Sequence, residues 1–260
     1  ADTLLEVSQI FHRGARYRRV RFVKTRLRPS PGAEFHFAIT RRGIRIIRRW
    51  SQSHLGKKTV ATPSGRRVVF AEDVVKALTN IAPWYKRPGL TAGSRVGVFI
   101  CEHPTCIRVS VKFLCDYMDN VRVGVLSAYP IVKMAAAQMG CDVEEVVVPT
   151  SALGEDWALE EALERIGDAP VVFIYGLEEV LYMYGVERVA YVLDFVHSVL
   201  PESAVVATFR GVEPMPELLN MFNTVWRYFP DRAMVVRSAL GWPVHELKMQ
   251  EEGNRFILTF

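Results

Sequence analysis

The sequence predicts an α/β protein: a mostly parallel sheet with helices on both faces, preceded by an N-terminal β arm. Three observations carry this. From residue 95 onward, short apolar runs alternate with amphipathic stretches at helical spacing, the pattern that builds strand–helix–strand crossovers. The first fifty residues alternate apolar and basic side chains between short turns and offer no helix of their own. At 260 residues, half of them hydrophobic and 23% charged, the chain can bury a sizeable core and is too apolar for general disorder.

In the arm, residues 2–8 read as a strand from their apolar content. Residues 18–28 alternate as RRVRFVKTRLR, with Val20, Phe22 and Val23 between basic residues. Pro29, Pro31 and Gly32 make a turn. Phe35, Phe37 and Ile39 alternate again, Arg42-Gly43 is a tight turn, and Ile44, Ile46 and Ile47 form a short strand. Alternation sets Arg45 opposite Ile44 and Ile46, on the wet face. Strands like these make no core alone and must pack on something else. Residues 51–67, polar and carrying Gly, Pro and Ser, read as a linker or surface hairpin. Residues 68–78 carry Ala71, Val74, Val75 and Leu78 at helical spacing. The expected organisation is an arm over 1–50, a linker and short helix over 51–82, and a main domain over 83–260.

Within the main domain the apolar runs predict strands over 96–101, 121–127, 145–148, 171–175, 204–209, 234–238 and 255–260. Helical spacing predicts helices over 107–118, 131–139, 157–166, 186–200 and 216–228, the second ended by Gly140.

No apolar run approaches the roughly 20 residues of a membrane helix, and no basic–apolar–small leader opens the chain. A cytoplasmic protein with no membrane partner is expected, and the initial Ala1 suggests processing or excision from a longer chain. Cys101, Cys106, Cys115 and Cys141 are too few and too clustered for a disulfide framework, and buried apolar thiols are expected. Cys101, His103 and Cys106 are too cramped for zinc, so no metal is expected. Asp194 and His197 sit three apart with no nucleophile nearby. Glu178-Glu179 reads as a solvated helix start, and Tyr182, Tyr184 and Tyr191 as packing residues.

The charge is unevenly spread. Residues 1–67 hold 17 Lys and Arg against 3 Asp and Glu, a net +14; residues 68–260 hold 16 against 25, a net −9. A basic arm on an acidic body fits nucleic acid, the acidic body of a neighbouring copy, or the solvated Arg-rich surface of a thermophile-like protein. Arg18, Arg19, Arg21, Arg41, Arg42 and Arg45 are the candidate contact residues.

Three stretches in order resemble the KaiC/RadA branch of the RecA superfamily. Pro88-Gly89-Leu90-Thr91-Ala92-Gly93-Ser94 resembles the entry to its phosphate loop. The run over 121–127, followed by Pro130 and a helix ending at Gly140-Cys141-Asp142, resembles its second strand and next helix. Residues 171–179 (VVFIYGLEE) resemble its Walker B strand and turn. The arm resembles the closing strands of a KaiC-like domain, through residues 1–7, Arg21 to Arg26, Pro31-Gly32, Phe37 to Ile39 and Gly43 to Ile46. Met234 to Ala239 repeats that closing strand.

The resemblance implies a RecA-like fold and places a phosphate loop at 101–108. That loop needs glycines, a Lys and a Ser or Thr. Here stand Glu102, His103, Pro104 and Thr105, with Arg108 as the remaining cation and no glycine. The Walker B acid corresponds to Tyr175, and the paired Glu that activates water falls near Ser127-Ala128. The resemblance therefore implies a pseudo-ATPase with no cofactor, ATP and magnesium included. In KaiC-like rings a K-x-R pair reaches the neighbour's triphosphate; Lys24 and Arg26 match it, with an exposed cationic strand as the plainer reading. In the second unit the pair has become Arg237 and Ala239. The expected function is non-enzymatic assembly with a RecA-like neighbour, self or paralogue, that modulates the neighbour's ATP site. The alternative is a recombinase-paralogue role binding DNA through residues 13–67; an enzyme with a remodelled pocket near 101–108 is the third.

Overall fold

A computed structural model describes residues 3–25, 33–81, 89–238 and 245–260. In chain order, the arm contributes β1 (Thr3–His12), β2 (Ala15–Thr25), β3 (Glu34–Thr40) and β4 (Gly43–Ile47). There follow β5 (Thr59–Ala61), β6 (Val68–Phe70), α1 (Glu72–Ile81), β7 (Leu90–Thr91), β8 (Arg95–Ile100), α2 (Pro104–Met118), β9 (Val123–Ser127), α3 (Val132–Gln138), β10 (Glu145–Val147) and α4 (Asp156–Ile166). The chain closes with β11 (Val171–Tyr175), α5 (Leu177–Tyr184), α6 (Val186–Val199), β12 (Ala204–Arg210), α7 (Pro216–Leu219), β13 (Thr224–Tyr228), β14 (Arg232–Ser238), β15 (His245–Glu252) and β16 (Arg255–Thr259).

The fold is mixed α/β around a large, mostly parallel sheet, in the order β10-β9-β11-β12-β8-β13-β14-β15-β16-β6. The six strands from β10 to β13 run parallel. Period two splits their side chains between two cores. Val98, Val125, Phe173 and Val206 face α2 and α3; Phe99, Leu126, Val172 and Phe209 face α4, α5 and α6. Strands buried on both faces read as continuous apolar runs, which is why they stand out in the sequence.

The arm is a separate antiparallel sheet, β1-β2-β3-β4. Directly paired residues share a face. Ala15, Tyr17, Ala38 and Ile47 lie on one face and join the core of α4 to α6. The opposite, outward face carries Leu5, Val7, Phe11, Phe35, Ile39, Ile44 and Ile46, all exposed.

Several expectations are corrected. Residues 216–228 are not one helix: α7 stops at Leu219, and the β-branched and aromatic run Thr224–Tyr228 forms β13 beside β8. That approach is close, since a Cβ on Gly97 would meet the Phe222 ring at 2.9 Å. Residues 68–70 are strand, not helix, because they pair with β16. The 51–67 stretch is tied into the body, with β5 paired to β7. Ser64 Oγ and the Arg67 and Val68 amides donate to buried Asp116 at 2.8, 3.0 and 2.8 Å. Strand β15 was not expected, and α5 was read only as a helix start at Glu178-Glu179. In β15 the charged alternation of HELKMQEE masks the buried Leu247 and Met249. All four cysteines are paired, as Cys101–Cys106 and Cys115–Cys141, so they are not free thiols. No helix among the described residues is long and apolar enough to cross a membrane.

Candidate functional site

Two places collect the residues singled out from the sequence. The first lies where the parallel strands end. In open α/β sheets, ligands bind outside the carboxyl ends of the strands, where neighbouring connections leave in opposite directions. Here those ends present the Cys101 turn after β8, Tyr129 after β9, Tyr175 and Gly176 at the end of β11, and Arg210 with Gly211 at the end of β12.

Tyr175 is 1% exposed, and its buried hydroxyl has no hydrogen-bond partner among the described residues. Its ring meets that of Tyr129 edge-on, with centroids 5.9 Å apart. The Tyr129 hydroxyl donates to Glu178 at 2.6 Å, and the Arg210 amide donates to the same carboxylate at 3.1 Å. The Arg210 guanidinium lies 3.7 Å from Glu178 and over the Tyr129 ring. Glu178 is 2% exposed, which corrects the expectation of a solvated helix start. Gly176 has φ +89°, so the chain turns sharply after β11 and carries the start of α5 beneath the strand ends. Burial raises the Glu178 carboxyl above its ordinary range, against the pull of the Tyr129 hydroxyl and Arg210. Burial and the Glu178 carboxylate together raise the Tyr129 phenol.

The 101–108 stretch is a staple and a helix start. Cys101–Cys106 closes the turn. His103 caps α2, accepting from the Thr105 amide at 3.3 Å, and Pro104 opens the helix where a missing N–H costs nothing. Glu102 is exposed and lies against Gly211. Arg108 points away, pairing with Glu251 of β15 at 2.8 Å. Thr105 is half-buried in the first turn of α2. Among the described residues, no cluster of three His, Cys, Asp or Glu side chains could hold a metal.

The second place is the arm. Arg18 pairs with Asp156 at 2.9 Å, and Arg19 with Glu34 at 2.9 Å. The Arg41 amide donates to Glu160 at 2.8 Å, while its guanidinium and that of Arg42 lie 3.7 Å from Glu161 and Glu164. Arg45 donates to the Ser198 carbonyl at 3.1 Å. Arg18, Arg41 and Arg42 thus meet the chain's own acidic helix α4, and Arg45 the end of α6. Arg45 turns inward and Ile44, 73% exposed, turns outward, the reverse of the expected alternation. The reason is the shared face: Ile47 and Arg45 lie on the side that packs on α6, which leaves Ile44 and Ile46 outside. Arg21 is exposed on β2. Lys24 lies on β2 opposite Leu4, with its side chain outside the described residues; Arg26 lies wholly outside them.

Sequence reasoning missed Tyr129, Arg210 and Asp156, which have no local motif and meet only in the fold. It also missed a shallow groove at the β10 edge, lined by Val146, Val148, Ala152, Ala158, Ala162 and the largely exposed Trp157.

No protein-family model matches this chain, and no curated protein matches it.

Proposed function

We propose that the chain is a catalytically inactive KaiC/RadA-like protein that works by assembly, using its N-terminal sheet to engage a RecA-like neighbour. One observation carries this reading: the arm is packed on one face only. Its inner apolar face and several of its cations are engaged within the chain, while the outer face presents Val7 at 66%, Phe11 at 62% and Ile44 at 73% exposure, with Gln9, Arg16 and Arg18 interspersed among them. Large exposed apolar side chains gathered on one sheet face and interleaved with polar ones mark an interaction site.

The sheet order supports the RecA-like part of the reading, with the first parallel strand, β8, set between β12 and β13. The strand ends support the inactive part. A phosphate cradle needs free backbone N–H donors and a cation. In their place stand a disulfide-closed turn opening on Glu102, two tyrosine rings and a buried carboxylate. In this reading Lys24 and Arg26 reach toward the neighbour's nucleotide, and that contact modulates its ATP site. DNA binding through Arg41 and Arg42 is the second reading, favoured by their exposure and their long 3.7 Å pairs.

The test is sedimentation of the full chain, alone and with a RecA-like ATPase, against an Ile44→Glu, Phe11→Glu variant. The expected result is a concentration-dependent complex that the variant loses, with no thermal shift from ATP and magnesium. A chain that stays monomeric and partnerless would sink the reading, as would stabilisation by ATP. Duplex DNA retained at low salt and released as salt rises would favour the second reading.

A further inference from the structure

Strand β1 is the free edge of the arm sheet: among the described strands it pairs with β2 alone. Nine of its ten residues are exposed and the tenth is half-buried, so the strand overhangs the body on both faces. Long exposed edges are normally blunted with Lys, Pro or a bulge, because their unpaired N–H and C=O groups invite another strand. Over Thr3–His12 there is no Lys and no Pro. The one irregularity, between Leu4 and Leu5, sits at the far end. The two side chains able to carry charge are Glu6 and His12, six residues apart on the same face.

We infer that β1 adds antiparallel to β1 of a second copy of this chain, with a two-fold axis at Gln9. This rests on the reading of the arm as the assembly element and specifies its geometry. A two-fold perpendicular to the sheet keeps inner faces on one side, so paired positions must differ by an even number. Centring on Gln9 sets Glu6 opposite His12 at both ends of the pairing. It also sets Val7 opposite Phe11 twice on the outer face, and Ser8 opposite Ile10. Carboxylate–imidazole and aliphatic–aromatic pairs are those that stabilise antiparallel neighbours. A two-fold contact closes as a dimer and leaves no edge for further growth. The occupant is a like strand because the complement to Glu6 and His12 is His12 and Glu6. The basic alternation of β2 and β4 lies further in, with Arg18 and Arg45 already engaged. The two copies would share one eight-stranded sheet.

The experiment uses the full chain, whose native cysteines are all paired and so leave introduced ones as the maleimide targets. Three single variants are made: Gln9→Cys, Val7→Cys and Phe11→Cys. With a short bis-maleimide, Gln9→Cys should cross-link to itself. Val7→Cys and Phe11→Cys should cross-link when mixed and not separately, since like positions lie four residues apart along the strand, about 13 Å. By sedimentation, His12→Glu, which sets carboxylate against carboxylate twice, should weaken the dimer about tenfold. A self-associating chain whose cross-links ignore this pattern, and whose dimer ignores His12→Glu, overturns the strand pairing and leaves arm-mediated assembly standing. A chain monomeric alone that binds a RecA-like ATPase through Ile44 and Phe11 also overturns the pairing alone. A chain that does neither overturns both.

Discussion

Arg18 and Asp156, 138 residues apart in sequence, form a 2.9 Å ion pair that fastens the arm to the start of α4. Asp156 also accepts from the Tyr191 hydroxyl at 3.0 Å and lies 3.8 Å from the fully buried Arg188. Burial raises the Asp156 carboxyl, while Arg188, Tyr191 and Arg18 pull the other way. The carboxylate is therefore held between an arm cation and a core cation. Electrostatic complementarity between arm and body, visible as +14 against −9 in the sequence, is spent in part inside one chain.

Removing that carboxylate leaves Arg188 buried without its counter-charge. Asp156→Ala should lose about 3 kcal/mol of stability, the usual cost of stranding one member of a buried pair. Urea unfolding measures it. Because the arm loses its anchor, proteolysis ahead of α1 should speed up in the same variant. An unfolding midpoint that does not move would show that Arg188 finds water or the Leu153 carbonyl sufficient; it already donates to the latter at 2.8 Å.

The disulfides act mainly on the unfolded chain. Cys115–Cys141 spans 26 residues and Cys101–Cys106 spans 5. Loop-closure entropy assigns them about 3.5 and about 2 kcal/mol respectively. Native protein should take up no iodoacetamide before reduction. Cys115→Ser should lower the melting temperature more than Cys101→Ser. Equal effects would mean that native-state contacts, not loop length, set the contribution.

The parallel core was legible because strands buried on both faces are continuous apolar runs; residues 171–175 were bounded to the residue. What failed depends on neighbours that no local window contains. Thr224–Tyr228 follows a helical pattern through Leu218 and Phe222, and only the open slot beside β8 makes it a strand. Ile44 and Arg45 alternate correctly, but alternation does not say which face meets the body. Cys115 finds Cys141 because α2 and α3 pack on the same side of the sheet. Glu178 reads as a helix-start acid; its burial comes from Tyr129, in the loop after β9, and Arg210, at the end of β12. For the same reason the strand-end cluster left no motif.

His197 supplies a pH test. It sits on α6 against His54, with ring centroids 5.2 Å apart, and its buried Nδ1 has no partner among the described residues. Burial, then Arg95, then His54, pull its pKa from the ordinary 6.5 to about 4. The fold thus favours the neutral ring. Its contribution is intact above pH 6.5 and is lost as pH falls toward 4, by up to about 3 kcal/mol. His197→Gln should flatten that part of the stability–pH curve relative to the parent. Parallel curves for the two proteins would remove His197 as the cause.

Ile44 and Ile47 lie on one five-residue strand and face opposite ways. Ile47 packs in the core with Tyr17 and Ala38, whereas Ile44 meets solvent. Ile47→Ala should therefore cost about 2–4 kcal/mol through lost burial and a residual cavity. Ile44→Ala should stay within about 0.5 kcal/mol, as an exposed truncation does. Assembly should rank them the other way, since Ile44→Ala trims the outer field and Ile47→Ala does not. Chemical unfolding and sedimentation on the same two variants read both axes. The opposed ranking is the signature of a sheet whose inner face builds the fold and whose outer face meets a partner. If Ile44→Ala cost as much stability as Ile47→Ala, the outer face would be part of the chain's own core, and the assembly reading would lose its surface.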